Sequence, residues 1–350
     1  MKTRLQQYFP LIRTREEIER EILSNPVLQD MFFNWKKKGQ EEFLDFMSGA
    51  KGVKMLYDSF FKEILNPEST PGRLEEFLSL VLKKKVRILK VLPNDGVRLA
   101  DEASLLITDI VVELEDKSIA NVEMQKIGYK FPGQRSACYS ADLLLRQYKR
   151  VKDEKEDTFS YQDIKPVYTI ILFERSTKEF HAYPETYIHS FKQQSDTGIP
   201  SELLQEYTYI PLDIFRKYVQ NKGIRNKLEA WLAFLSFDEI EMILAIITQY
   251  PEFKELYSQL YEICRNMEQV MGMFSKELQI LDRNTVQYMI DEMQETIDRQ
   301  KEELEEARKE IKEKEQLYEE YQKLVQELAE LKEKYENPLH FTMKVLQLYY

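Results

Sequence analysis

The alternation of apolar and polar residues predicts a β-hairpin near the middle of the chain. Two apolar runs, 106–114 and 118–125, are rich in β-branched residues and are separated by the polar trio Glu115-Asp116-Lys117. Short runs of this kind, bounded by polar turn residues, are typical of strands. A loop of residues 115–117 pairs residues whose numbers sum to 232, which sets Leu114 opposite Ser118.

Periodicity on both sides of the hairpin predicts the order of the neighbouring elements. Apolar residues recur at helical spacing before it, whereas the near-continuous apolar run 167–173 after it is typical of a strand buried in the middle of a sheet. Thr14, followed three residues later by Glu17, has the spacing of a capping box at the start of a helix. The predicted elements are helix 73–84, strand 86–91, the hairpin strands, helix 134–151, strand 167–173 and a short strand at 207–210.

Beyond residue 283 the pattern changes to a heptad repeat. Fourteen positions at steps of four and three run from Val286 to Lys332, and eleven of them are apolar. The positions between them are mostly Glu, Lys and Gln, as expected for a coiled coil. A single charged helix cannot bury such a stripe alone, so we predict a homo-oligomer held by this coiled coil. In the alternative, the stripe folds back onto the body of the protein.

The predicted organisation therefore has five parts. They are an N-terminal helical extension (1–65), a mixed α/β core (66–211), a helical bundle packed on the core (212–282), the coiled coil (283–336) and an apolar tail (337–350).

Charge is distributed unevenly along the chain. The net charge is −11, but residues 291–336 hold 17 acidic and 9 basic side chains, a net charge of −8. Residues 126–152 hold seven basic side chains against Asp142 alone, a net charge of +6. Binding of phosphate requires a local basic patch rather than a positive total. In the alternative, this segment is only a solvated helix face.

Composition argues against several other classes of protein. The chain has no apolar run near the roughly 20 residues that a membrane-spanning helix needs, and its N-terminus lacks the apolar stretch of a signal peptide. Cys138 and Cys264 are far apart and indicate reduced thiols in a cytoplasmic protein rather than a disulfide framework. Phosphate-loop and dinucleotide-binding glycine motifs are absent, and none of the three histidines is near the hairpin in sequence.

The hairpin places two acidic residues opposite each other. Asp109 faces Glu123 in the predicted register, and Gln125, two residues beyond Glu123, shares their face of the sheet. Like charges directly opposite on a sheet repel. A divalent cation between them would turn this repulsion into a binding site, because Mg²⁺ prefers carboxylate oxygens. In the alternative, Asp109 is a strand-end charge, and Glu123 and Gln125 belong to the wet face of a half-buried strand.

These residues carry a resemblance to a known family. Asp109, then Glu123-x-Gln125, then a helix with Arg135 and Tyr139, then a strand near Tyr168 resemble the PD-(D/E)XK nuclease family transposases, a bacterial group of recombination-promoting nucleases and putative transposases. The resemblance covers about residues 50–270. It implies a restriction-endonuclease-like α/β fold, a mixed sheet flanked by helices, with the helical extension, helical bundle and long C-terminal helix added to it.

The resemblance also implies the roles of individual residues. Asp109 and Glu123 would bind Mg²⁺ or Mn²⁺, and Gln125 would stand where many relatives carry a catalytic lysine. An acid on the first helix would be Glu75 or Glu76, between which the sequence does not choose; Glu76 is included among the predicted catalytic residues. Residues predicted to contact nucleic acid are Lys130, Arg135, Tyr139, Arg146 and Lys149.

We therefore predict a metal-dependent endonuclease acting on DNA, most simply double-stranded DNA, with a link to recombination or transposition. Two alternatives remain open at this point. One is a protein that keeps the fold but acts through its coiled coil as an interaction module, because a glutamine cannot supply the positive charge of the missing lysine. The other is an RNA nuclease that uses the same residues. Lys126 is a poor substitute for the lysine, because it points to the other face if the strand continues.

Overall fold

The computed structural model describes residues 3–93, 110–126, 132–201, 203–336 and 338–349. The chain divides into two compact units, Met1–Tyr288 and Met289–Tyr350.

The first unit begins with a series of short helices, and their starts follow from local capping residues. Thr14 accepts a hydrogen bond from the backbone N–H of Glu17, whose side chain bonds back to Thr14, so the predicted capping box is confirmed. Asn25 caps the next helix, which has Pro26 at its first position, where a missing N–H costs nothing. These helices are α1 (Arg4–Tyr8), α2 (Arg15–Ser24), α3 (Pro26–Phe33), α4 (Lys37–Met47), α5 (Asp58–Ile64) and α6 (Pro71–Leu82).

A mixed sheet follows. Its described strands are β1 (Ile88–Val91), β2 (Ile110–Leu114), β3 (Ile119–Gln125), β4 (Val167–Phe173), β5 (His189–Phe191) and β6 (Gln205–Pro211), in the order β1-β2-β3-β4-β6-β5. β3, β4 and β6 run parallel to one another, whereas β1–β2, β2–β3 and β5–β6 are antiparallel pairs. The predicted mixed α/β core is therefore confirmed.

The hairpin of β2 and β3 has the predicted register. Ile110 pairs with Val122 and Glu113 with Ile119, so each pair sums to 232. The loop is residues 115–117, and Lys117 adopts a left-handed conformation with a φ of 67°. In a three-residue hairpin loop, a last residue in the left-handed region matches the twist of the two strands and allows the next residues to form the hydrogen bonds of the sheet. Asp109 lies outside the described residues.

Helices complete the first unit. They are α7 (Pro132–Lys155), α8 (Lys178–His181), α9 (Leu212–Lys222), α10 (Lys227–Ser236), α11 (Ile240–Gln249), α12 (Phe253–Ile263) and the start of α13 (Met267–Glu336). The predicted helices at 73–84 and 134–151 correspond to α6 and α7. The strand predicted at 207–210 is longer, as β6, whereas α8 and the three-residue β5 were not predicted.

The two faces of the sheet have different coverings. Val112, Ala120 and Val122 belong to the large hydrophobic core, which also contains side chains of α1–α6 and α9–α13. Val111, Ile119 and Val167, whose side chains point the other way, pack against Leu143 of α7. The alternation of side chains along a strand therefore sends the odd-numbered residues of β3 toward α7.

The second unit consists of the remainder of α13 and the helix α14 (Pro338–Leu346). Where side chains are described, the apolar heptad residues are about half exposed, from 46% for Ile297 to 66% for Leu328. Such a row of exposed apolar side chains agrees with the predicted stripe, and its pairing with a second helix stays a prediction. No helix in the described part of the chain combines the length and apolar character needed to span a membrane.

Candidate active site

The candidate site lies at the end of β3, on the face covered by α7. Asn121, Glu123 and Gln125 are consecutive odd-numbered residues of this strand, and each is at most 3% exposed. Their neighbours on the adjacent parallel strand are Thr169, Ile171 and Phe173. The alternative that Glu123 and Gln125 belong to the solvent-exposed face of a half-buried strand is therefore wrong. These polar side chains are buried beneath a helix, where burial without partners costs free energy.

Glu123 and Gln125 are in direct contact. The Nε2 of Gln125 donates a hydrogen bond to Oε1 of Glu123 at 3.1 Å. This bond fixes the orientation of the amide. The Gln125 Oε1 atom is buried and accepts no hydrogen bond from the described residues. A carboxylate and a buried amide oxygen therefore lie side by side at the end of one strand.

The first turns of α7 bring a cation to the same carboxylate. Both Nε and Nη2 of Arg135 lie 3.5 Å from Glu123 Oε1. The guanidinium also lies over the ring of Tyr139, 4.9 Å from its centroid, one helical turn further along. Tyr139 is buried at 3% exposure, whereas the Arg135 side chain is 35% exposed and reaches solvent.

Tyr209 of β6 belongs to this site and was not predicted from the sequence. Burial raises the pKa of its phenol, and the negative charge of Glu123 acts in the same direction, although a hydrogen bond with Ser136 of α7 opposes them. The alternating Tyr207 and Tyr209 were visible in the sequence. The proximity of Tyr209 to Glu123 depends on the crossover from β4 to β6, which cannot be predicted from a local sequence pattern.

The donor set is suitable for a hard divalent cation. Carboxylate and amide oxygens are the ligands that Mg²⁺ and Mn²⁺ accept, and the Gln125 Oε1 atom has no hydrogen-bond donor among the residues that the structure describes. Among the described residues no group of three or more His, Cys, Asp and Glu side chains is placed to hold a metal ion. Asp109, the predicted second carboxylate, is outside that set.

Comparison with known proteins decides the family. Residues 55–291 match the PD-(D/E)XK nuclease family transposases. The chain belongs to this family. No curated protein and no solved structure gave a match. Membership in the PD-(D/E)XK nuclease family supports a nuclease, and the matched residues include the whole sheet and the site at the end of β3.

The two acids that the PD-(D/E)XK resemblance suggested on the first helix have other contacts. Glu76 makes an ion pair with Lys227 of α10 at 3.2 Å. Glu75 accepts a hydrogen bond from the backbone N–H of Ile88 at 2.9 Å and so holds the start of β1. Their helix, α6, contributes its apolar side chains to the core on the sheet face opposite Glu123. The structure describes no contact between Glu76 and Glu123.

The predicted nucleic-acid contacts fall into different environments. Arg146 is paired with Asp142 at 3.1 Å and donates to the carbonyl of Pro93 at 2.9 Å, so its role within the fold is structural. Lys149 is exposed on α7. Arg135 and Tyr139 lie at the site itself, as described above. Lys130 lies outside the described residues.

Two buried ion pairs near the site were missed. Glu113 is 3% exposed and pairs with Arg150 of α7 and with Lys117. Lys126 turns away from Gln125, as its position after the strand suggested, and pairs with Glu277 of α13. Its Nζ also lies 5.2 Å from the centroid of the Tyr57 ring.

A charged cavity of about 550 Å³ lies beyond the ends of β3 and β4. Its walls include Lys126, Glu174 and Tyr57, and its described lining contains five acidic and five basic side chains. Glu123 and Gln125 are not part of it. Balanced charge gives no preference for a phosphate, so we assign the candidate active site to the buried polar residues Glu123 and Gln125 beneath α7.

Proposed function

We propose that this PD-(D/E)XK family protein is a metal-dependent endonuclease that hydrolyses phosphodiester bonds in DNA. The observation that carries the proposal is the contact between Glu123 and Gln125, which sets a carboxylate beside an amide oxygen that accepts no hydrogen bond from the described residues. Family membership supports nuclease activity. The dependence on metal and the DNA substrate are our proposal.

In this proposal Glu123 and Gln125 bind Mg²⁺ or Mn²⁺ together with Asp109. The described register of the hairpin supports the third ligand, because its continuation by one residue beyond Ile110 and Val122 would set Asp109 opposite Glu123. When bound, the metal lowers the pKa of a water molecule and neutralises phosphate charge. The protein's own part is to hold two ligands on one rigid strand and to exclude bulk water by covering that strand with α7.

A nucleic acid is favoured as substrate by the charge around α7, and we propose DNA. Residues 126–152 carry a net charge of +6 beside the site. An exposed lysine such as Lys149 offers a contact to backbone phosphate, which positions a nucleic acid without reading its sequence. RNA shares this backbone chemistry, so a panel of double-stranded DNA, single-stranded DNA and RNA must decide between the substrates.

The test is nicking of supercoiled plasmid with Mg²⁺, compared with the same reaction in EDTA. We expect Glu123→Ala and Asp109→Ala to lower the rate by at least about a hundredfold, the usual effect of removing a group that stabilises the transition state. Glu115→Ala is the matched control, because Glu115 is an exposed residue of the same hairpin. Equal nicking by all four proteins would exclude the assignment.

A second candidate function is favoured by the exposed stripe of α13. Apolar side chains such as Leu304 and Ile311 are 53% and 55% exposed at heptad spacing. If the protein acts mainly as an interaction module, this stripe is its working surface and the hairpin site binds no metal. Titration calorimetry separates the two functions, since heat on adding Mg²⁺ or Mn²⁺ that is lost in Glu123→Ala supports the nuclease.

A further inference from the structure

The site lacks the lysine that would accompany Glu123 in many relatives. Gln125 stands in its place, and an amide carries no charge to stabilise the developing negative charge of a phosphodiester under attack. A cation is nevertheless described at this point. Arg135 reaches the same carboxylate oxygen with two of its nitrogens, both at 3.5 Å.

Other basic side chains nearby are directed elsewhere. Lys126 is 5% exposed, is paired with Glu277 and faces the core on the opposite side of the sheet. On α7, Arg146 is paired with Asp142, and Arg150 with Glu113. Among the described cations of β3 and α7, Arg135 is the one in contact with Glu123.

Arg135 packs on the ring of Tyr139 and also reaches solvent. The buried ring of Tyr139 supports one face of the guanidinium at 4.9 Å, which limits its rotamers and lowers the entropic cost of ordering it. With 35% of its side chain exposed, Arg135 also reaches solvent, from which a substrate must approach. A planar guanidinium can contact two oxygens at once, which suits a phosphate.

We infer that Arg135 supplies the positive charge that Gln125 cannot, by contacting a non-bridging oxygen of the scissile phosphate. The inference rests on the proposed function. In the reaction the oxygen of water bonds to phosphorus and loses a proton to solvent, the bond from phosphorus to the leaving oxygen breaks, and the leaving oxygen takes up a proton from solvent. Arginine stays protonated throughout, so Arg135 acts through charge and does not donate that proton.

The same geometry predicts that, without substrate, Arg135 and a divalent cation compete for the carboxylate of Glu123. A guanidinium 3.5 Å from the Glu123 carboxylate opposes a divalent cation at that oxygen. Loss of Arg135 should therefore tighten Mn²⁺ binding by roughly fivefold, the effect of a partly exposed charge pair, while it slows cleavage. Opposite changes in binding and cleavage are not expected from a residue that only supports the fold.

The experiment measures cleavage and Mn²⁺ affinity in the full-length protein for four variants. Arg135→Ala should lower kcat by about a hundredfold to a thousandfold with a smaller change in KM, and Arg135→Lys should keep part of the rate. Arg135→Gln keeps hydrogen-bond donors at this position without the charge and should lose about as much of the rate as Arg135→Ala. Arg265→Ala, at an exposed arginine of the first unit, is the matched control.

The outcomes separate this inference from the proposed function. If wild type does not cleave any nucleic acid, the proposed function fails. The Mn²⁺ affinity then still tests whether Arg135 lies against the carboxylate of Glu123. If wild type cleaves and Arg135→Ala cleaves at the same rate, the inference is wrong while the proposed function stands. Weaker Mn²⁺ binding in Arg135→Ala, or in Arg135→Lys should the alanine variant not fold, also overturns it.

Discussion

Lys126 and Glu277 form an ion pair in which both side chains are almost completely buried, at 5% and 1% exposure. Lys126 directly follows the site strand β3, and Glu277 lies on α13. The other carboxylate oxygen of Glu277 accepts the backbone N–H of Asp58 at 3.0 Å. This pair therefore joins the end of β3 to two helices of the core.

Breaking this pair should be strongly destabilising. Glu277→Leu leaves the Lys126 ammonium buried without its carboxylate, which should lower the free energy of unfolding by about 3–5 kcal/mol, measured by urea denaturation. The double variant Lys126→Met with Glu277→Leu should recover most of the loss. The exposed pair Arg265–Glu262 is the control, because Arg265→Ala should cost less than about 1 kcal/mol. A loss at Glu277 no larger than this control would contradict the burial described here.

The two cysteines should react at very different rates. Cys138 is exposed on α7, whereas Cys264 is buried, and burial raises the pKa of the Cys264 thiol to about 12. At pH 8 a thiol reagent should therefore label one cysteine rapidly and the second only on unfolding, and Cys138→Ser should remove the fast phase. Fast labelling of both thiols in the folded protein would count against the packing around Cys264.

The same thiol predicts a loss of stability at alkaline pH. Because the pKa of Cys264 is raised in the folded state, its contribution to stability is complete below the ordinary value of 9.0 and declines as pH rises toward about 12. Cys264→Ala should flatten the fall in unfolding free energy between pH 9 and pH 11. An identical slope in both proteins would show that Cys264 does not titrate as described.

Lys149 should contribute to DNA affinity without setting its specificity. Lys149→Ala should weaken binding equally for unrelated sequences and reduce the slope of log affinity against log salt by about 0.9, the effect of one phosphate contact. Lys301→Ala, at an exposed lysine of the second unit, is the control. Fluorescence anisotropy between 50 and 200 mM salt, roughly the range in which such contacts are lost, measures both values. An unchanged slope would remove Lys149 from the interface.

Self-association should depend on the inner heptad positions of α13. Ile311→Glu places a charge in the predicted seam and should weaken association by roughly a hundredfold or more, because a buried unpaired charge costs several kcal/mol. Gln316→Glu adds the same charge at an exposed outer position and should have little effect. Light scattering over a range of concentrations measures the molar mass. A wild-type protein that stays monomeric would favour the fold-back alternative.

Local pattern was sufficient to predict much of the site strand. The predicted register, in which the numbers of paired residues sum to 232, followed from two apolar runs and a three-residue polar loop. It agrees with the described pairs from Ile110–Val122 to Glu113–Ile119. The side of the strand that Lys126 faces followed from the same alternation.

Contacts between distant parts of the chain could not be predicted in this way. Glu277 is more than a hundred residues from Lys126, and nothing in its surroundings marks it as buried. Tyr209 approaches Glu123 only because β6 lies beside β4. The resemblance suggested Glu76 as a site acid, and the ion pair that the structure describes for it, with Lys227 of α10, likewise joins distant parts of the chain.

The central claim is that Glu123 and Gln125 share a divalent cation, and Mn²⁺ binding measured by electron paramagnetic resonance tests it most directly. Free Mn²⁺ gives a sharp signal that is lost on binding, so the signal reports occupancy without any activity. We predict one Mn²⁺ per chain in wild type and in Glu115→Ala, at least tenfold weaker binding in Gln125→Ala, and none in Glu123→Ala. Binding of equal strength in all four proteins, or in none of them, would contradict the account.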